Sequence, residues 1–209
     1  MMILAFEFSS ARRSVALARD GIVLSEAAET GGYRVTNAFA LTEKVLADAK
    51  VLREEIEVVA VGIGPGSYTG IRAAIALAQG WQLARGVKLL GVSSVECLAA
   101  QTQAEKIFGR VSVAVDAQRG EFYLAVWEIS ELARREMLPL KIVPAEEIET
   151  RKLTGSVCVG PDAGRILFPS AMLVARLAAG RTDFVAGEKL EPIYLRETAF
   201  VKSAAAGNH

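Results

Sequence analysis

Histidine is nearly missing from this sequence: there is one in 209 residues, His209 at the very end. Zinc sites built on histidine pairs and Ser-His-Asp triads are excluded, and a Cys-His dyad would have to borrow the terminal residue. Cysteine is scarce as well. Cys97 and Cys158 each sit in an apolar stretch; two cysteines make neither a disulfide framework nor a tetrahedral cysteine site, and these read as reduced, buried thiols. Net charge is absent, with 24 Lys+Arg against 24 Asp+Glu. Residues 1–100 hold ten of each sign and the rest fourteen of each. Without a basic arm or an acidic tail, a chain whose main job is to grip nucleic acid by itself is disfavoured. No apolar run reaches the ~18 residues that a membrane helix needs. The start, Ile3-Leu4-Ala5-Phe6 and then Glu7, has neither a basic n-region nor a proper h-region. A secretory signal is therefore not expected, and a cytoplasmic protein is.

What is present suits a packed core. Hydrophobic residues make up 52% and charged residues 23%, enough for one large domain or two small ones. Residues 3–8, 14–18 and 22–27 alternate with polar turns, the second being Asp20-Gly21, and read as a three-stranded antiparallel meander. Thr36-Asn37 is placed to cap a helix over 38–50. The β-branched run 56–63 reads as a buried strand, followed by an irregular Gly64–Gly70 segment and a helix over 71–85. A strand at 89–92 and a helix over 95–101, capped by Ser93-Ser94, come next.

The pattern then restarts. Val111–Asp116 is a strand ending in an acid, 117–120 a turn, and 121–127 the returning strand, so that Asp116 falls on Glu7 and the hairpins superimpose. A short helix from Pro144, a strand at 157–160 and a helix over 170–179 complete the reading. Strands and helices interleave, which defines an α/β class with mixed sheets. The halves divide as 1–103 and 104–209, with the boundary in 101–109 and a loose tail at 204–209.

Three constellations could carry chemistry. The first is Gly64-Pro65-Gly66-Ser67-Tyr68-Thr69-Gly70. It joins a strand end to a helix start, where open N–H groups suit an anion. Yet no Lys follows Gly70, so this is not a P-loop. Spacing favours a rigid structural corner made by Gly64, Pro65, Gly66, Ser67 and Gly70. The second is Glu7 with Ser9 and Ser10, matched by Asp116 with Gly120, acids at equivalent strand ends that could flank a nucleotide or simply bind their own turns. The third is the helix 71–85, uncharged from 73 to 84. A helix apolar nearly all round is buried on more than one side. This points to a partner interface that includes Ile71, Ile75, Ala78 and Trp81, with Phe39, Val45 and Leu46 of the preceding helix.

The order of these motifs resembles one family. Ile3–Ser10 followed by Ser14–Leu17, then Gly64–Arg72, Gly91–Glu96, Asp116–Tyr123 and Glu191-Pro192-Ile193-Tyr194-Leu195-Arg196 together look like the bacterial TsaB (YeaZ) family of tRNA threonylcarbamoyladenosine (t6A) biosynthesis proteins. The resemblance spans almost the whole chain. It implies the actin-like, sugar-kinase/Hsp70-type fold, with two lobes from a duplication. It also implies a scaffold for TsaD, the threonylcarbamoyl transferase, with which such proteins pair through first-lobe helices, as they do with themselves. TsaE then joins as an ATPase, ATP and metal are expected on the partner subunits rather than here, and tRNA is met only through the complex. Two departures stand out. Glu7-Phe8-Ser9 replaces the family's usual Asp-Thr-Ser, and Val35-Thr36-Asn37-Ala38 replaces a His-Ser-Glu start to the first helix. Both weaken autonomous nucleotide binding. The competing readings are a small ATPase or kinase using Glu7 and Asp116 between the lobes, and an independent tRNA-binding module.

Overall fold

Two five-stranded sheets with the same strand order organise the chain. The computed structural model describes residues 1–31 and 37–195. β1 (Met2–Glu7), β2 (Arg12–Arg19) and β3 (Ile22–Thr30) form an antiparallel meander. The β2–β3 turn places Asp20 and Gly21 at φ 51° and 81°, as a type I′ hairpin requires. β1 also pairs in parallel with β4 (Val58–Gly62), and β4 with β5 (Lys88–Val92), giving the order β3-β2-β1-β4-β5. The second sheet repeats this plan. β6 (Gly109–Gln118), β7 (Glu121–Ile129) and β8 (Arg134–Pro144) form the meander, and β9 (Val157–Gly160) and β10 (Arg165–Ile166) extend it in parallel as β8-β7-β6-β9-β10. One strand order used twice is the actin-like plan, and the duplication read from the Glu7 and Asp116 hairpins is its trace.

Among the described residues, five α-helices cover the sheets: α1 (Ala38–Ala49), α2 (Tyr68–Arg85), α3 (Ser94–Ala104), α4 (Ala145–Leu153) and α5 (Ala171–Ala178). Period-two alternation assigns the faces. Met2, Leu4, Phe6, Val15, Leu17, Val59 and Val61 pack under α1 and α2, while Ile3, Ala5, Ala16, Ala18, Val58 and Ala60 pack under α5. α3 turns Val95, Leu98 and Ala99 to Val111, Val113 and Val115 of the second sheet; its Cys97 and Ala100 join the α5 cluster. The terminal helices are thus exchanged between sheets. α4 covers the far face of the second sheet through Ile148. α1 follows β3 as α4 follows β8. α2 has no such counterpart, because β9 passes to β10 through a short loop.

The strand β8 escapes the sequence reading. It is an edge strand with mostly exposed or half-exposed residues, and its pairing with β7 shifts register near Pro139. Proline belongs at such an irregular edge, but it disguises the strand as a loop. Among the described residues, no helix is long and apolar enough to cross a membrane.

Candidate functional site

The glycine segment is a packed corner. Gly64–Pro65 is a cis peptide. Helix α2 starts earlier than the composition suggests, with residues 68–70 in its first turn and the Ser67 hydroxyl accepting from Gly70 N–H at 3.3 Å. Side-chain-free positions are needed here. A Cβ on Gly66 would overlap the Ser9 carbonyl, and one on Gly70 would overlap the Phe8 carbonyl. Ser67 N–H donates to Ser9 O at 2.7 Å, and Ser94 N–H to Gly64 O at 2.8 Å. Of the N–H groups that an anion could use, that of Ser67 is therefore turned to the β1–β2 hairpin and that of Gly70 to the Ser67 hydroxyl.

Glu7 lies at the centre of this corner, with no exposed surface. Its Oε1 accepts from Ser9 N–H at 2.7 Å and its Oε2 from the Ser94 hydroxyl at 2.9 Å. The same Ser94 oxygen accepts from Gly64 N–H at 3.2 Å. Ser94 is thus a bridge between the acid and the loop rather than the cap of α3, and Ser93, at the cap position, makes no side-chain cap bond. A Cβ on Gly62 would collide with the Glu7 carboxyl, so the longer acid fits because β4 ends in glycine. Burial pushes the Glu7 carboxyl above its usual range, and the hydrogen bonds from Ser9 and Ser94 oppose that rise. Ser9 and Ser10 are buried at 5% and 6% exposure, and Ser10 Oγ donates to Arg12 O at 2.9 Å.

The matching acid fares differently. Asp116 is half-buried and accepts from Gln118 N–H at 2.7 Å and from Gln118 Nε2 at 2.8 Å, closing its own turn. Gly120 is exposed, with its carbonyl accepting from Ala145 N–H. The Asp162 carboxyl is raised, chiefly by desolvation, with the Asp116 charge adding to it. Among the described residues, no three His, Cys, Asp or Glu side chains converge on a metal position.

The interface candidates divide sharply. Val45, Leu46, Ile71, Ile75 and Ala78 are at most 6% exposed and belong to the chain's own core with Phe6, Val59 and Val61. This corrects their assignment to a partner surface: both helices turn these residues onto the first sheet. Trp81 is half-buried against the same core, and Phe39 stands 74% exposed. The chain's own C-terminal segment also covers a flank of α2: Gln79 Nε2 donates to Gly187 O and Gln82 Oε1 accepts from Gly187 N–H. The outward face that remains includes Ala73, Ala76, Gly80, Leu83 and Ala84, with Leu83 at 89% exposure. Composition alone points to an outward apolar face on α2 but does not name its residues. Val35 and Thr36, at the start of the first helix, lie outside the described residues; Asn37 caps α1 by accepting from Ala40 N–H.

This geometry defines a two-lobed actin-like protein whose first-lobe loop packs against the β1–β2 hairpin and whose outer helix is uncharged from Ala73 to Ala84. Comparison with known proteins is concordant. The family model for TsaD, tRNA N6-adenosine threonylcarbamoyltransferase, matches residues 13–145. The tRNA threonylcarbamoyladenosine biosynthesis protein TsaB of Escherichia coli (strain K12) is 30% identical over 221 residues, covering 94% of this chain and 95% of that protein. TsaB of Bacillus subtilis (strain 168) is 28% identical over 140 residues, covering 66% of this chain and 60% of that protein. The solved structure of YeaZ from Pseudomonas aeruginosa has the same fold, with a TM-score of 0.78 at 24% identity over 93% of this chain and 99% of that one. The chain belongs to the TsaB (YeaZ) family.

Proposed function

We propose that this chain is a non-catalytic subunit in the synthesis of tRNA threonylcarbamoyladenosine, pairing with and stabilising a TsaD-type transferase. The observation that carries the pairing is the outward face of α2. It has no charge from Ala73 to Ala84, and Leu83 stands almost fully in solvent. Solvated helix faces normally carry charge, and small residues let another helix approach closely. Phe39 on α1, which packs on the same face of the sheet, is a second exposed apolar side chain, at 74% exposure. In isolation the same face serves a homodimer. TsaE joins the assembled pair in the cytoplasm, and tRNA is engaged by the complex.

ATP and metal belong to the partner subunits in this reading. Glu7, Ser9 and Ser10 are buried and hydrogen-bonded within the corner, which favours a structural role for them over an inter-lobe ATPase or kinase site. The histidine pair that the resemblance implies for TsaD-type proteins has no counterpart in a sequence with His209 alone. The test is co-purification with a TsaD-type subunit, followed by reconstitution of t6A synthesis with every other component supplied. Modification that proceeds equally well without this chain refutes the proposal.

A further inference from the structure

Three sequence segments that are far apart along the chain converge on one exposed aromatic and cationic cluster. Tyr68 and Arg72 stand one turn apart at the start of α2, and Tyr194 arrives from the C-terminal segment. That segment is pinned to the corner by Ile193 N–H donating to Ile63 O at 2.8 Å. The Tyr68 and Tyr194 rings lie 5.4 Å apart, tilted by 31°. The Arg72 guanidinium sits 5.3 Å from the Tyr68 ring centre and donates to the Tyr68 hydroxyl at 2.9 Å. Tyr123 of β7 lies near enough to bear on Tyr194, whose phenol is pushed up to about 12, chiefly by desolvation.

None of this cluster is needed to fill the core. Tyr68 is 54% exposed and Tyr194 47% exposed. Among the described residues, Arg72 forms no ion pair with a carboxylate; its charge lies against a ring instead. Exposed aromatic faces beside an arginine that lies against one of the rings match the chemistry by which unpaired nucleotides are held. Bases stack on rings or on guanidinium planes, and the positive charge meets phosphate. We infer that Tyr68, Arg72 and Tyr194 form a stacking platform for unpaired bases of the tRNA held by the assembled complex. The inference rests on the role in tRNA modification proposed above. It also fits the neutral net charge, since one platform adds a local contact rather than a general grip on nucleic acid.

The test uses the full chain reconstituted with its TsaD-type partner and whole tRNA, and measures pairing and tRNA affinity separately. Tyr68→Ala and Tyr194→Ala are each expected to weaken tRNA affinity by about tenfold, the scale of one lost stack, with pairing unchanged. Tyr68→Phe and Tyr194→Phe, which keep the ring, retain wild-type affinity. Unchanged tRNA affinity in the alanine variants overturns the inference. So does weakened pairing with tRNA affinity intact, which would make the cluster a protein contact. Failure of the unmodified chain to pair at all strikes the proposed function first and removes this platform with it.

Discussion

Ile75 and Ala76 are neighbours on α2, yet they face opposite environments, and glutamate at each position should have opposite consequences. Ile75 is 6% exposed in the cluster around Phe6, Val59 and Val61. Its burial contributes about 1.5–3 kcal/mol. A carboxylate in that place adds a desolvation cost of several kcal/mol, or takes up a proton to avoid it. Together these approach the ~5–15 kcal/mol that holds a typical domain, so Ile75→Glu should unfold the first lobe or leave it melting far below wild type. Ala76 points outward. Ala76→Glu costs at most about 0.7 kcal/mol of helix propensity, which at this size is about 1–3 °C in Tm. The two variants should therefore separate stability from assembly. Circular dichroism melts report the first, and co-purification with a TsaD-type subunit reports the second. Ile75→Glu should fail both assays, and Ala76→Glu only the second. An Ile75→Glu protein with a wild-type melt would refute the burial assignment, and an Ala76→Glu protein that still pairs would move the interface off α2.

Two glycines on the same helix should respond with opposite signs. At Gly80 an added Cβ meets nothing within 4 Å, so Gly80→Ala should stabilise by about 0.5–1 kcal/mol; at Gly70 the overlap with the Phe8 carbonyl makes Gly70→Ala destabilising. Equal shifts in denaturant midpoint would contradict that contrast. For Glu7, the raised carboxyl means that the folded state holds its proton more tightly than the unfolded state does. The stability it contributes is complete below the unfolded value and is lost as pH rises through the higher folded value. Relative to Glu7→Gln, the wild type should lose stability on going from about pH 4 to pH 8; a relative gain would reverse the assignment. Cys97 and Cys158 are both buried with raised thiols. A thiol reagent should accordingly label neither in the native protein and both in denaturant, and fast native labelling would contradict their burial.

The strands were legible wherever they are buried on both faces. Residues 3–6 and 58–62 announce themselves by unbroken apolar runs, and the Glu7 and Asp116 hairpins reveal the duplication. β8 was not legible, because an edge strand broken by Pro139 carries no alternation strong enough to distinguish it from a loop. The packing of α2 was legible only by half. A stretch without charge from Ala73 to Ala84 points to cover on more than one side, but not to the side that meets the sheet. Ile71, Ile75 and Ala78 went inward because α2 lies across β4 and β5, a tertiary fact with no local signal. The joint role of Ser94, which links Glu7 to Gly64 across 87 and 30 positions, is equally invisible in one dimension.

The comparison between lobes explains why α2 is the element to watch. The second sheet closes β9 to β10 with a short loop, and β10 is only two exposed residues, so little apolar surface there needs cover. In the first sheet, Val59, Val61 and Leu89 line the outer face of β4 and β5 and would be bare without α2. This demand accounts for its inward residues, Ile71, Ala74, Ile75 and Ala78. It places no requirement on the outward ones. A helix needed solely to shield a sheet gains solubility from charge on its far side, as α1 does with Glu43, Lys44 and Asp48. Two helices packed on the same face of the same sheet differ in this one respect. Between Ala73 and Ala84 the exterior of α2 carries no charge, and its own sheet does not require this; that is the observation behind the proposed pairing.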